Sequence, residues 1–78
     1  MKPVALFIFQ SSDGHKCVIA ALAYNIAVKH MGELSALKCD LIASEKINDL
    51  NVNSLLYSII IEQAQTRPVV IDNQILPF

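Results

Sequence analysis

The chain has 78 residues, of which 54% are apolar and 17% are charged, and its formal net charge is -1. This length predicts one domain spanning residues 1–78, and so large an apolar share excludes an intrinsically disordered chain. Six lysine and arginine residues are too few for the broad basic face of a direct nucleic-acid binder. Because a chain this short buries only about 60% of its unfolded surface, we expect it to share apolar surface with a partner.

The apolar segments are too short for a membrane-bound or secreted protein. The longest, Cys17–Val28, is interrupted by Asn25 and falls short of the roughly 20 residues that a spanning helix needs. The run Val4–Phe9 is shorter than the apolar part of a secretory signal. Two cysteines, Cys17 and Cys39, are too few for a disulfide framework, although one disulfide between them stays open. We therefore expect a cytoplasmic protein with reduced thiols and no contact with a membrane.

A strand and a helix are predicted in the first third of the chain. Val4–Phe9 is continuously apolar, which is typical of a strand buried on both faces of a sheet. In the polar cluster that follows, Ser12 or Asp13 can cap a helix. The segment from His15 to about His30 is rich in helix formers and free of proline and glycine, so it predicts the helix itself, with Gly32 as the C-terminal cap.

Three further strands and a second helix are predicted in the rest of the chain. Leu37–Ile42 and Val69–Ile71 are the second and third strands, and Asn53–Gln65 has the apolar spacing of a helix. Ile75–Leu76 would start a fourth strand. The predicted fold is α/β with the order β-α-β-α-β-β. The first strands would be parallel through a right-handed crossover and the last two would form an antiparallel hairpin, which makes a mixed sheet.

The segment between the first strand and the predicted helix contains residues that could carry chemistry. A cysteine in the first turn of a helix has a lowered pKa because of the helix dipole, and His15 and Lys16 would add positive charge near Cys17. Backbone N–H groups at such a helix start also suit an anion. Cys17 is thus the candidate nucleophile of a thiol enzyme, and the alternative is a small apolar residue on the buried side of the helix.

No metal site and no cofactor are predicted. The soft or borderline ligands are His15, Cys17, His30 and Cys39. His15 and Cys17 are too close in sequence for a recognised zinc pair, and the chain contains no Cys-x-x-Cys.

A second segment, Arg67–Asp72, places a proline at the first position of a strand, where its missing N–H is tolerated. With the predicted order of elements, this segment resembles the thioredoxin superfamily, in which a cis-proline loop faces the start of the first helix. It is most similar to the arsenate-reductase and Spx-type branch, which has Arg-Pro, three aliphatic residues and often an acidic one. Leu55–Ile60 is similar to the leucine-tyrosine helix before that motif. The resemblance covers residues 50–78, and residues 4–24 match in pattern only.

The resemblance implies a binding site in which Asp13, Gly14 and His15 face Arg67 and Pro68, with the Arg67 guanidinium holding an anion. Other interpretations of Arg67 are an ion pair with Asp13 or a helix carboxylate, or simple solvation. Gly14 stands where the family has its nucleophilic cysteine, and Cys17 at the second, resolving position. Because dithiol exchange needs both thiols, the resemblance favours a protein that is not an enzyme.

Three functions follow from these observations. The first is a non-catalytic, thioredoxin-fold regulatory module that docks on a protein partner, as Spx-type regulators dock on the transcription machinery. The second is a monothiol oxidoreductase or oxyanion reductase that uses Cys17. The third is an oligomeric structural or assembly subunit. A complete thioredoxin-like member has a terminal helix, which this sequence lacks after Phe78, so we expect a second copy or a partner to cover the exposed face and predict a homo-oligomer, most simply a homodimer.

Overall fold

The computed structural model describes residues 2–34, 39–47 and 55–74. The elements, in chain order, are β1 (Ala5–Ser11), β2 (Lys16–Ala21), α1 (Tyr24–Leu34), β3 (Cys39–Lys46), α2 (Leu55–Ala64) and β4 (Val69–Asn73). The four strands form one sheet in the order β3-β1-β2-β4, and each neighbouring pair is antiparallel. The predicted α/β class is confirmed.

The prediction of a helix from His15 is wrong, because residues 16–21 form β2 and the first helix begins at Tyr24. Gly14 has φ +91°, a conformation that glycine adopts without steric cost, and it turns the chain so that β2 returns along β1 as a hairpin. Phe9 lies opposite Cys17 in this hairpin, and Phe7 lies opposite Ile19. Gly32 lies inside α1 and is not its cap.

The predicted order β-α-β-α-β-β is also wrong, since the observed order is β-β-α-β-α-β. The expected parallel crossover is absent from the described part of the sheet, and the thioredoxin-like topology is not confirmed. The Arg67–Pro68 peptide bond is trans. The predicted strand Ile75–Leu76 lies outside the described residues.

The two helices pack on opposite faces of the sheet. One core cluster joins Phe7, Phe9 and Ile19 to Ala27 and Met31 of α1. The cluster on the other face joins Ile60 and Ala64 of α2 to Val4, Ala20 and Ile47. Because side chains alternate along a strand, β1 contributes to both faces, as the continuous run Val4–Phe9 predicted. Neither described helix combines the length and apolarity needed to cross a membrane.

Candidate functional site

The predicted binding residues fall into two separate groups. Asp13, Gly14 and His15 lie in the hairpin turn, residues 12–15, that precedes β2. Arg67 and Pro68 precede β4, whose first residue lies opposite Ala20 near the far end of β2. At about 3.3 Å per residue of strand, the length of β2 puts roughly 20 Å between the groups. The structure therefore does not bring them together into one anion site, and it separates Arg67 from Asp13.

The hairpin turn is closed by hydrogen bonds around the Asp13 carboxylate. The Ser11 hydroxyl and the His15 backbone N–H donate to its Oδ1, the latter over 3.3 Å, and His15 Nδ1 lies 2.9 Å from its Oδ2. The Ser11 hydrogen bond, followed by those from the His15 backbone and side chain, lowers the pKa of Asp13 to about 2. The Ser11 N–H donates to the His15 carbonyl over 2.9 Å. These contacts fix the shape of the turn.

The same three residues do not form a nucleophilic triad. A serine nucleophile needs a base that accepts its proton, but the Ser11 hydroxyl donates to Asp13 and the His15 ring faces the same carboxylate. A carboxylate with a pKa of about 2 is a weak base at neutral pH. Ser11 is also buried. The arrangement is that of a structural turn.

Cys17 lies in the core and not at a helix start. Its side chain is fully buried in the cluster under α1, opposite Phe9. This burial raises the pKa of the Cys17 thiol, and the charges of Cys39 and Asp72 raise it further. A reactive cysteine needs an accessible, stabilised thiolate, and Cys17 has neither property. The alternative of a small buried apolar residue describes it, although it belongs to a strand.

Cys17 and Cys39 are both thiols, and the sheet keeps them apart. Cys17 pairs with Phe9 on one side of β1, and Cys39 pairs with Ser11 on the other. Two interstrand spacings put their Cα atoms at least roughly 9 Å apart, beyond the limit of about 7 Å for a disulfide. The described residues contain no cluster of three or more potential metal ligands.

Arg67 and Pro68 line an open cleft beside the start of β4, which we call the β4 cleft. It has a volume of about 480 Å³ and is lined by His30, Gln63, Thr66, Arg67, Pro68, Val69 and Val70. The Arg67 N–H donates to the Gln63 carbonyl over 3.3 Å, whereas its guanidinium is exposed and makes no ion pair with a described residue. Within the described residues, the exposed guanidinium agrees with the solvated interpretation of Arg67 and with neither of the two ion pairs.

The β4 cleft continues into an apolar groove of about 250 Å³ between α2 and β4. Three large apolar side chains that line this groove are exposed, namely Leu56 (63%), Ile59 (42%) and Ile71 (39%). Together with Leu55 (79%), the first residue of α2, we call them the α2 patch. The patch arises because the apolar residues of α2 extend beyond the side that packs on the sheet, where Ile60 and Ala64 are buried and Tyr57 and Ile61 are partly buried. The sequence did not assign these residues to a site, since it does not say which side of the helix meets the sheet.

Comparisons with known proteins give no family for this chain. No family model matches it, and neither a curated protein nor a solved structure shows significant similarity to it. The resemblance to the Spx-type branch thus rests on the motif residues themselves, and functional conclusions depend on the geometry of this chain.

Proposed function

We propose that the chain is a non-catalytic protein-binding module and that the α2 patch is its docking surface. The observation that carries this proposal is the exposure of Leu55, Leu56, Ile59 and Ile71 beside one groove. Single exposed apolar residues are ordinary on protein surfaces, whereas a contiguous patch is typical of an interaction site. Burying such a patch is worth about 25 cal/mol for each Å² removed from water.

The composition of α2 supports the same proposal. A helix whose apolar residues extend well beyond one stripe is normally covered on more than one side, and in this chain the sheet buries Ile60 and Ala64 of α2 while Leu55, Leu56 and Ile59 stay exposed. A partner seated on Leu55, Leu56 and Ile59 would cover the opposite side. The apolar excess that the composition indicated is therefore assigned to a specific surface.

The other expectations receive less support from the structure. The thiol-enzyme alternative requires an accessible Cys17, and that side chain is fully buried. The thioredoxin-like fold and docking on the transcription machinery, both implied by the resemblance, rest on the Arg67–Asp72 motif and the similar segment Leu55–Ile60, because the described strand pairs are all antiparallel.

A photo-crosslinking amino acid tests the docking surface in the cells that produce the protein. Placed at Leu56, it should form covalent adducts with a protein partner, which mass spectrometry of the adduct identifies. The control is the same probe at Val28, an apolar residue of α1 that is 39% exposed and lies outside the patch. The proposal is wrong if position 56 gives no protein adduct, or no more adduct than position 28, while both variants keep the wild-type melting temperature.

A further inference from the structure

We infer that a second copy of this chain occupies the α2 patch, in a twofold dimer whose two copies of α2 run antiparallel. This inference rests on the proposed function, because it names the partner of the same surface. A twofold interface uses one patch on both subunits, so the patch has to be complementary to itself. The α2 patch meets this condition in its apolar residues and in the charges at its two ends.

The centre of the patch is apolar and fits a copy of itself. Leu56, Ile59 and Ile71 line the groove, and no charged residue is among the residues that line it. A stable interface buries about 800 Å² on each partner, which is about one sixth of the 5194 Å² that this chain exposes. An interface centred on α2 and β4 would remove from water Leu55 and Leu56, which have the highest exposed fractions among the large apolar residues described.

The ends of the surface carry opposite charges. Leu56 lines the groove together with Ile71, so Asp72 lies near the start of α2. Arg67 follows the end of α2 and lies in the β4 cleft. Both charged side chains are exposed, and five residues of extended chain put them about 15 Å apart, too far to pair within one chain. Neither makes an ion pair with another described residue.

These charges select the orientation of the two copies. In a parallel arrangement each Arg67 would face the Arg67 of the other copy, which is repulsive. In the antiparallel arrangement each Arg67 faces Asp72 of the other copy, and the apolar centre still faces itself. Complementary charges of this kind fix the register of an interface. Glu62 is exposed on α2, but it lines neither the groove nor the β4 cleft.

The contact is made by side chains and not by pairing of the two β4 edges. Pro68 precedes the strand and has no N–H to donate. The register between β2 and β4 shifts at Ile71, because Val18 lies opposite Asp72 while Ile19 lies opposite Val70. Such a bulge and a proline are features that protect an edge strand from pairing with another chain.

Charge reversal tests the inference. Arg67→Asp and Asp72→Arg should each weaken the dimer about tenfold in sedimentation equilibrium, since each places like charges opposite one another twice. The double variant should restore the wild-type dissociation constant. Leu56→Lys should abolish the dimer, and Val28→Lys, on the other face of the sheet, should leave it unchanged. Circular dichroism checks that every variant is folded.

The inference is overturned if the wild-type chain stays monomeric up to near-millimolar concentration. It is also overturned if the double variant dimerises no better than the single ones. Failure of the inference is distinguishable from failure of the proposed function. If the chain is monomeric and the probe at position 56 crosslinks to a different protein, the proposed function stands and the inference of a second copy is wrong. If the probe crosslinks to no protein, both are wrong.

Discussion

Cys17 illustrates how one side chain acquires its chemistry from its position in the sheet. Alternate side chains of β2 point to opposite faces, and Cys17 points into the cluster beneath α1. Its neighbours His15 and Lys16, which indicated a reactive thiol, are exposed to solvent. The sulfur of Cys17 itself is buried. Burial then raises the pKa of the thiol and reduces the thiolate fraction at neutral pH.

Iodoacetamide labelling tests this assignment. In the Cys39→Ser variant, Cys17 should label at least roughly 100-fold more slowly in the folded chain than in denaturant, because its reaction requires opening of the core. The matched variant Cys17→Ala reports Cys39, which is half-buried in an edge strand and should be less protected. If Cys17 were labelled at the same rate in folded and unfolded chains, its thiol would be accessible and the thiol-enzyme hypothesis would be supported.

At the scale of elements, the two glycines occupy different backbone conformations, one in a turn and one in a helix. Gly14 has φ +91° in the hairpin turn, whereas Gly32 lies in α1 with open space around it. A left-handed backbone strains any residue with a Cβ, while glycine inside a helix is less favourable than alanine. The hairpin therefore depends on its glycine, and α1 would be more stable without one.

We expect Gly14→Ala to lower the free energy of unfolding by about 1–2 kcal/mol and Gly32→Ala to raise it by about 0.5–1 kcal/mol. Urea denaturation followed by circular dichroism measures both values, and each variant is the control for the other. Equal effects from the two substitutions would show that the turn does not require a left-handed residue at position 14.

The elements that sequence analysis found are those with distinct local signals. β1 follows from a continuous apolar run, and β4 follows from the proline before it. β2 was missed because Cys17–Ala21 is apolar throughout, and such a run is equally consistent with a buried helix. The Asp13–Gly14 pair is a hairpin signal, but its meaning depends on pairing between β1 and β2, which periodicity does not report.

The candidate site was predictable to a similar extent. The motif at Arg67 and Pro68 indicated a binding site; both residues line the β4 cleft, and their role in binding stays a prediction. Joining them to Asp13 required the predicted parallel topology, so that part of the site depended on an order of elements that is not observed. The α2 patch was not predictable in detail, since the apolar stripe of α2 is wider than the side that packs on the sheet, and the sequence does not mark which part of the stripe stays exposed.

At the scale of the whole molecule, the sheet separates two helices that are covered to different degrees. α1 places Ala27 and Met31 in its core cluster, and α2 places Ile60 and Ala64 in the other. Each helix exposes three large apolar side chains, and those of α2 are exposed to a greater extent: 79%, 63% and 42% for Leu55, Leu56 and Ile59, against 56%, 37% and 39% for Tyr24, Ile26 and Val28. Association through α2 would therefore add to the stability of the folded chain.

The melting temperature should consequently depend on protein concentration. A partner that binds only the folded chain stabilises it by mass action, so above the dissociation constant a tenfold increase in concentration should raise the melting temperature by roughly 3–5 °C. Leu56→Lys should remove this dependence and Val28→Lys should keep it, with differential scanning calorimetry as the measurement. The melting temperature of the wild-type chain could instead stay constant across concentrations at which sedimentation shows a dimer. That result would mean that the dimer forms through a surface that does not require the native fold of α2.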